Sequence, residues 1–181
     1  MNIIVDVDDC VADLVGEWLK RYNFDYGESL KKSDVTEWDI SKFLRKPENK
    51  EFLYQYIEDP NLYNNIKPIK DSLWGINKLK SMGNRVIFVT ASTIGSAGRK
   101  FQWLKDHKFI DNKNDYVETL DKSIIRGHWM IDDRFLNVKS FHGRAILFDA
   151  FWNRCEQWDL KAKSWKHVIK IISSVGEFGY L

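Results

Sequence analysis

Cysteine is scarce: Cys10 and Cys155 are the two thiols in 181 residues. Two scattered cysteines make neither a disulfide framework nor a zinc-ligand spacing. A strong excess of one charge is missing too. Charged residues are 30% of the chain, but acids and bases nearly cancel to a net +2. Nucleic-acid binders concentrate their bases on one face or in one run. Here the bases are dispersed, and the densest places, Lys31-Lys32 and the stretch from Lys161 to Lys166, read as solvated surface. No nucleic-acid polymer is expected as a partner. No run approaches the roughly 20 apolar residues of a membrane span, and no apolar stretch follows a basic N-terminal segment. The expectation is a protein without a membrane partner, in the cytosol.

What is there is a chain that is 44% hydrophobic and 14% aromatic. That suits one globular domain with an insertion. Asn2 to Val7 is an almost wholly apolar run, the signature of a strand buried on both faces of a parallel sheet. Val11 to Tyr22 reads as a helix with Leu14, Trp18 and Leu19 on one stripe. From Asn23 to Pro68 the texture becomes polar, aromatic and helix-prone, punctuated by Pro47 and Pro60. An alternation then resumes. A helix is expected over Ser72 to Met82, with Gly83 placed as its C-terminal cap. A strand over Arg85 to Thr90, a helix over Gly98 to His107 and a weak strand over Tyr116 to Leu120 follow. His128 to Ile131 reads as a strand, Ala145 to Phe148 as the last strand, and Trp165 to Ile172 as a closing helix. The fold class implied is α/β, a doubly wound, mostly parallel sheet. Residues 1–22 and 69–181 would form its core, and residues 23–68 a small helical cap.

In such sheets ligands bind beyond the carboxyl ends of the strands. The first strand is followed by Asp6, Asp8 and Asp9, the second ends in Thr90-Ala91-Ser92, and a later one ends in Asp132-Asp133. Asp6 and Asp8, at i and i+2 of an extended chain, point the same way. Close carboxylates repel unless a cation lies between them, and a hard divalent cation such as magnesium suits oxygen ligands. Asp132 would supply a further oxygen. Asp9 by itself reads equally well as a cap for the helix that begins near Val11.

The order strand-Asp6-x-Asp8, then a strand ending in Thr90, then Lys122 ahead of a strand ending in Asp132-Asp133, resembles the four motifs of the haloacid dehalogenase superfamily. A closer resemblance is to its 5'-deoxyribonucleotidase family, the 5'(3')-deoxyribonucleotidases. It rests on Asp6-Val-Asp-Asp-Cys-Val-Ala-Asp13-Leu with the insertion directly after it, and on Ile131-Asp-Asp-Arg134. It also rests on Ile146-Leu-Phe-Asp149, Asn153-Arg154 and Ser164-Trp165. It covers the chain nearly end to end and is weakest in the insertion. Members often carry Thr-Ser where this chain has Thr90-Ala91, so position 91 lacks a hydroxyl.

The resemblance implies a magnesium-dependent phosphatase acting on (deoxy)ribonucleoside 5'-monophosphates. Asp6 would be the nucleophile that forms an aspartyl-phosphate, and Asp8 the general acid and base. Mg2+ would be held by Asp6, the Asp8 carbonyl and Asp132. Thr90, with the backbone N–H groups from Ala91 onward at a helix start, would bind phosphate oxygens. Lys122 would neutralise the remaining charge, and Asp133 would orient Lys122 or a metal-bound water. Arg134 reads evenly as a substrate contact or the partner of a carboxylate. Arg99 and Lys100 read as a solvated helix face.

The insertion carries Phe24, Tyr26, Trp38, Phe43, Phe52, Tyr54, Tyr56 and Tyr63, with Tyr22 just before it. Most would form the cap's own core. Trp38 is the candidate to stack on a base, and Leu14 the candidate for an apolar wall beside the sugar. Two other readings compete: a phosphatase for another small ester such as a sugar phosphate, and a non-catalytic nucleotide-binding protein or nucleic-acid module. The last leaves the intact set of Asp6, Asp8, Thr90, Lys122 and Asp132 unexplained. A homodimer is left open, as is the preferred base.

Overall fold

A computed structural model describes residues 1–44, 55–59, 61–94 and 96–176. Six parallel strands form one sheet: β1 (Asn2–Val5), β2 (Arg85–Thr90), β3 (Tyr116–Glu118), β4 (Trp129–Asp132), β5 (Arg144–Phe148) and β6 (Lys161–Ala162). Their order across the sheet is β3-β2-β1-β4-β5-β6. The chain starts in the middle, fills one side, then crosses back and fills the other. The direction therefore reverses between β1 and β4, and a crevice opens there at the strands' carboxyl ends.

β1 is apolar throughout because both its faces are covered. Ile3 and Val5 point into one cluster with Ile76, Leu79, Leu104, Trp165 and Val168. Ile4 points into the other, with Val89, Met130, Val138 and Leu147. The first face is covered by α2 (Ser72–Ser81), α3 (Arg99–Asp106) and α5 (Trp165–Gly176), and the second by α4 (Phe135–Ser140). Gly75 of α2 lies against the ring of Trp165. A Cβ there would fall 2.4 Å from Trp165 Cε3. Gly75→Ala is therefore expected to destabilise the protein by about 1–2 kcal/mol, because the overpacking exceeds the gain in helix propensity. A thermal melt that is unchanged or raised would show that the two helices are free to separate.

α1 (Leu14–Tyr26) runs four residues beyond the expected Tyr22 and stops at Gly27, whose φ of +63° supports the left-handed cap that accepts no other side chain easily. Its buried residues Val15, Trp18, Leu19 and Tyr22 form a separate cluster with Val35, Ile40, Leu44, Ala150 and Trp152. The described part of the insertion is built of short turns, Lys32–Asp34, Ile40–Phe43 and Leu62–Asn64, with residues 55–58 helical. Its apolar side packs on α1, so the division at residue 22 cuts through a shared core. Phe52, Tyr54, Pro47 and Pro60 lie outside the described residues.

Two short elements depart from the expected pattern. β5 is not the last strand: β6 adds two residues at the sheet edge. α4, six residues long, follows Arg134. Segments this short carry too little periodicity to read.

Candidate active site

β1 ends at Val5, and the chain turns at once. The N–H groups of Val11 and Ala12 both donate to the Val7 carbonyl, and Asp9 adopts a φ of +51°. Short polar side chains tolerate that conformation best. The turn presents Asp6, Asp8 and Asp9 over the crevice. Asp9 closes it from within, since its Oδ2 accepts the Val15 N–H at 3.2 Å in the first turn of α1. Its other oxygen accepts Lys32 Nζ at 2.8 Å, and the same ammonium reaches Asp13 Oδ1 at 2.6 Å. Lys32, read from the sequence as solvated, is in fact a tie between the insertion and this loop. Trp165 Nε1 anchors the loop from below through the Cys10 carbonyl, at 2.8 Å.

Asp6 is buried, and Oδ1 accepts both the Val7 N–H at 2.7 Å and Lys122 Nζ at 2.7 Å. Lys122 also bonds Asp132 Oδ2 at 2.8 Å. Burial pushes the Asp6 carboxyl up to about 7. Lys122 works against that shift, and Asp132 and Asp8 add to it. Burial would lower the Lys122 ammonium, but Asp132 and Asp6 more than offset it and hold it above its ordinary value.

Asp132 and Asp133 meet different partners. Asp132, expected beside a cation, is held by Lys122, the Arg134 N–H and the Asn137 amide. Asp133, expected to orient Lys122 or a metal-bound water, does not bond Lys122. It accepts Trp152 Nε1 at 2.8 Å and brings a carboxylate oxygen within 4.8 Å of Asp6. Successive residues of a strand face opposite sides. Asp132 follows Met130 towards α4, and Asp133 follows Ile131 towards the loop after β1. Burial raises the Asp133 carboxyl well above its usual range, and the Asp6 and Asp132 charges raise it further. Two buried carboxylates that both resist ionising, with oxygen donors close together, suit a hard divalent cation. Asp6 and Asp133 thus fit magnesium.

The Asp8 side chain is engaged at both oxygens: Tyr63 Oη donates to one and Lys100 Nζ to the other. Lys100 is only 4% exposed and also donates to the Ala91 carbonyl and to Thr90 Oγ1. The solvated reading thus holds for exposed Arg99 and fails for Lys100. A signal was present. Lys100, Trp103 and Leu104 are the buried positions of α3, spaced i, i+3, i+4, so the lysine sits on the apolar stripe at the end nearest the strand ends. Tyr63 belongs to the insertion, whose aromatics were expected mostly to pack on one another. The expectation of a helix start just after Thr90 fails as well. α3 begins at Arg99, and before it the Ser96 and Ala97 N–H groups donate to the Thr93 carbonyl.

Asp6, Asp8, Thr90, Ala91, Lys122 and Asp133 all line one cavity of about 390 Å³. Its upper wall comes from α1 and the insertion, including Leu14, Trp18, Trp38 and Ile57, and Trp152 closes one side. Trp38 is 53% exposed at the mouth. The Arg134 guanidinium lies 4.9 Å from the Trp38 ring centroid, and Trp152 meets that ring edge-on at 6.4 Å. Trp152 was not singled out from the sequence, although Asn153-Arg154 beside it was. Asn153 is buried and ties the end of β5 to that of β4 by donating to the carbonyls of Phe148 and Asp133.

Known proteins resemble this chain in sequence and in fold. The profile of the family described as 5' nucleotidase, deoxy (pyrimidine), cytosolic type C protein (NT5C) matches residues 1–177. The 5'(3')-deoxyribonucleotidase of Clostridium acetobutylicum is 30% identical over 177 residues, covering 96% of each chain. That of Bacillus subtilis strain 168 is 32% identical over 168 residues, covering 92% of this chain and 95% of the relative. Among solved structures, the HAD-hydrolase YfnB of Bacillus subtilis bound to magnesium shares the fold. Its TM-score is 0.58 at 11% identity, over 94% of this chain and 97% of that one.

Proposed function

Because this chain belongs to the NT5C family of 5'-nucleotidases, and is thus a phosphoric monoester hydrolase of the haloacid dehalogenase superfamily, we propose that it hydrolyses deoxyribonucleoside 5'-monophosphates to nucleoside and phosphate. One observation carries the reading. A single cavity of about 390 Å³ joins a floor of Asp6, Asp8, Lys122 and Asp133 to a mouth formed by Leu14, Trp18 and Trp38. A phosphate is recognised by charge, and a nucleoside by apolar and aromatic surface; here one volume offers both.

The Asp6 carboxylate attacks phosphorus in line, forming an acyl phosphate as the bond to the sugar oxygen breaks. Asp8, beside it, gives the departing alkoxide a proton and later takes one from the water that splits the acyl phosphate. Lys122, fixed by Asp132, offsets charge on the phosphoryl oxygens, and Thr90 Oγ1 offers a hydrogen bond. Asp6, Asp133 and the Asp8 carbonyl would hold Mg2+. When bound, it supplies the positive charge that lets a carboxylate approach an anionic phosphate. The α1 wall excludes water from the base and sugar.

Leu14 is half-buried in that wall. A 2'-hydroxyl placed against it loses its water without gaining a partner, which costs about 1–3 kcal/mol. Matched deoxy- and ribonucleoside monophosphates should therefore differ in kcat/KM by roughly tenfold to a hundredfold in favour of deoxy. Trp38→Ala should raise KM for the nucleotides by about tenfold, because a base–aromatic contact is worth about 1–3 kcal/mol. Equal values for the two sugars would remove the deoxy preference. An unchanged KM would remove Trp38 from the base site. Faster hydrolysis of sugar phosphates than of any nucleotide would refute the substrate assignment and leave the chemistry of the floor.

A further inference from the structure

Holding a hard cation requires no sulfur, and no step of the phosphatase reaction uses one. Cys10 nevertheless lies behind two residues of the floor, Asp6 and Asp133. It is fully buried one residue after Asp9, with its backbone pinned by Trp165. Its Sγ and single carboxylate oxygens of Asp6 and Asp133 all lie within 4.8 Å of one another. Among the described residues the thiol has no hydrogen-bond partner.

Three atoms no more than 4.8 Å apart share a centre less than about 2.8 Å from each. Zinc binds thiolate sulfur at about 2.3 Å and carboxylate oxygen at about 2.0–2.2 Å, so shifts of roughly half an ångström would bring all three ligands onto one ion. Magnesium gains nothing from sulfur, whereas zinc and cadmium gain a strong bond. We infer that Asp6, Cys10 and Asp133 together form a capture site for a thiophilic divalent cation, zinc or cadmium, which takes the place of the hard cation and silences the enzyme. The inference rests on the reading that Asp6 and Asp133 face a cation. On capture, the metal–sulfur bond forms as the thiol proton passes to solvent. No electron is transferred.

Cadmium reports its own sulfur bond through an ultraviolet thiolate-to-metal charge-transfer band. The test uses full-length protein carrying Cys155→Ser, which removes the exposed thiol. Titration with cadmium should raise the band to a limit at one equivalent, and excess magnesium should reverse it. Adding Cys10→Ser should weaken cadmium binding, measured by equilibrium dialysis, on the order of a hundredfold, while magnesium affinity stays within about threefold. Cys10→Ala gives the same comparison if the serine variant does not fold. No band in the Cys155→Ser protein, a band that magnesium does not reverse, or unchanged cadmium affinity without Cys10 would each overturn the inference. Phosphate release with magnesium alone, measured on the same preparations, separates this failure from failure of the phosphatase reading.

Discussion

Asp6→Asn is expected to abolish phosphate release, with a loss of at least about a thousandfold in kcat and a fold that survives. Removal of an enzyme's nucleophile costs up to about a millionfold. An amide has nearly the shape of a carboxylate but neither attacks phosphorus nor binds a divalent cation well. The side chain sits where Val7 N–H and Lys122 can still meet its oxygen, so the local hydrogen bonds persist. Stability should move the other way. The Asp6 carboxyl is raised to about 7 in the folded protein, from an ordinary 3.8, chiefly by burial. A raised carboxyl favours the folded state only while protonated. Its unfavourable contribution therefore grows as pH rises from about 4 to about 7 and is complete above that. Without added metal, the asparagine variant should be more stable than the parent at pH 8, by an amount on the order of 1 kcal/mol, and the difference should vanish towards pH 4. Thermal melts at the two pH values, beside a phosphate-release assay, check both halves. More than a few per cent of parental turnover in a clean preparation would exclude Asp6 as the nucleophile.

The second large effect separates two adjacent aspartates. Asp133→Ala should raise the magnesium concentration for half-maximal activity by about a hundredfold or more, because in the proposed site it removes one of two carboxylates that would face the cation. Asp132→Ala should leave the magnesium titration nearly in place and lower kcat by roughly tenfold to a hundredfold. Lys122 keeps Asp6 but loses the partner that fixes its position. Calcium should inhibit the parent, since it prefers more ligands at longer distances and spoils the in-line geometry. Magnesium titrations of activity, with calorimetric binding in the absence of substrate, distinguish the two variants. The reverse pattern, a shifted titration in Asp132→Ala and an unshifted one in Asp133→Ala, would return the metal to Asp132.

Much of the fold can be read from local pattern. β1 is apolar because it is central, β2 runs from Arg85 to Thr90 as its composition implies, and Gly83 marks the end of α2 with a φ of +78°. Alternation of strands and helices implies the parallel sheet, and the sheet implies that whatever follows its strands meets at one edge. Asp6, Asp8, Thr90 and the Asp132-Asp133 pair could be placed on that argument, because strand ends are local features and the edge is a consequence of topology; Lys122 is placed by the family resemblance.

Facing and partnership are another matter. Sequence supplies two aspartates after β4, but the parity of the strand and the position of α4 decide that Asp132 meets Lys122 while Asp133 meets Trp152 and the loop of Asp6. Lys32 looks like any surface lysine until the insertion folds over α1, and the place of Lys100 on an apolar stripe gains its meaning when α3 packs on the sheet. Each then finds a carboxylate buried enough to hold it. Tyr63 reaches Asp8 across 55 residues, and Trp152 reaches Asp133 across 19. The sequence by itself determined the chemistry available at the strand ends, since residue type and strand order are written along the chain. Tertiary structure alone decided which of those groups share a hydrogen bond or a cavity wall. Such pairings depend on distances of a few ångströms between segments far apart in the chain, and on burial, which gives each close approach its energy.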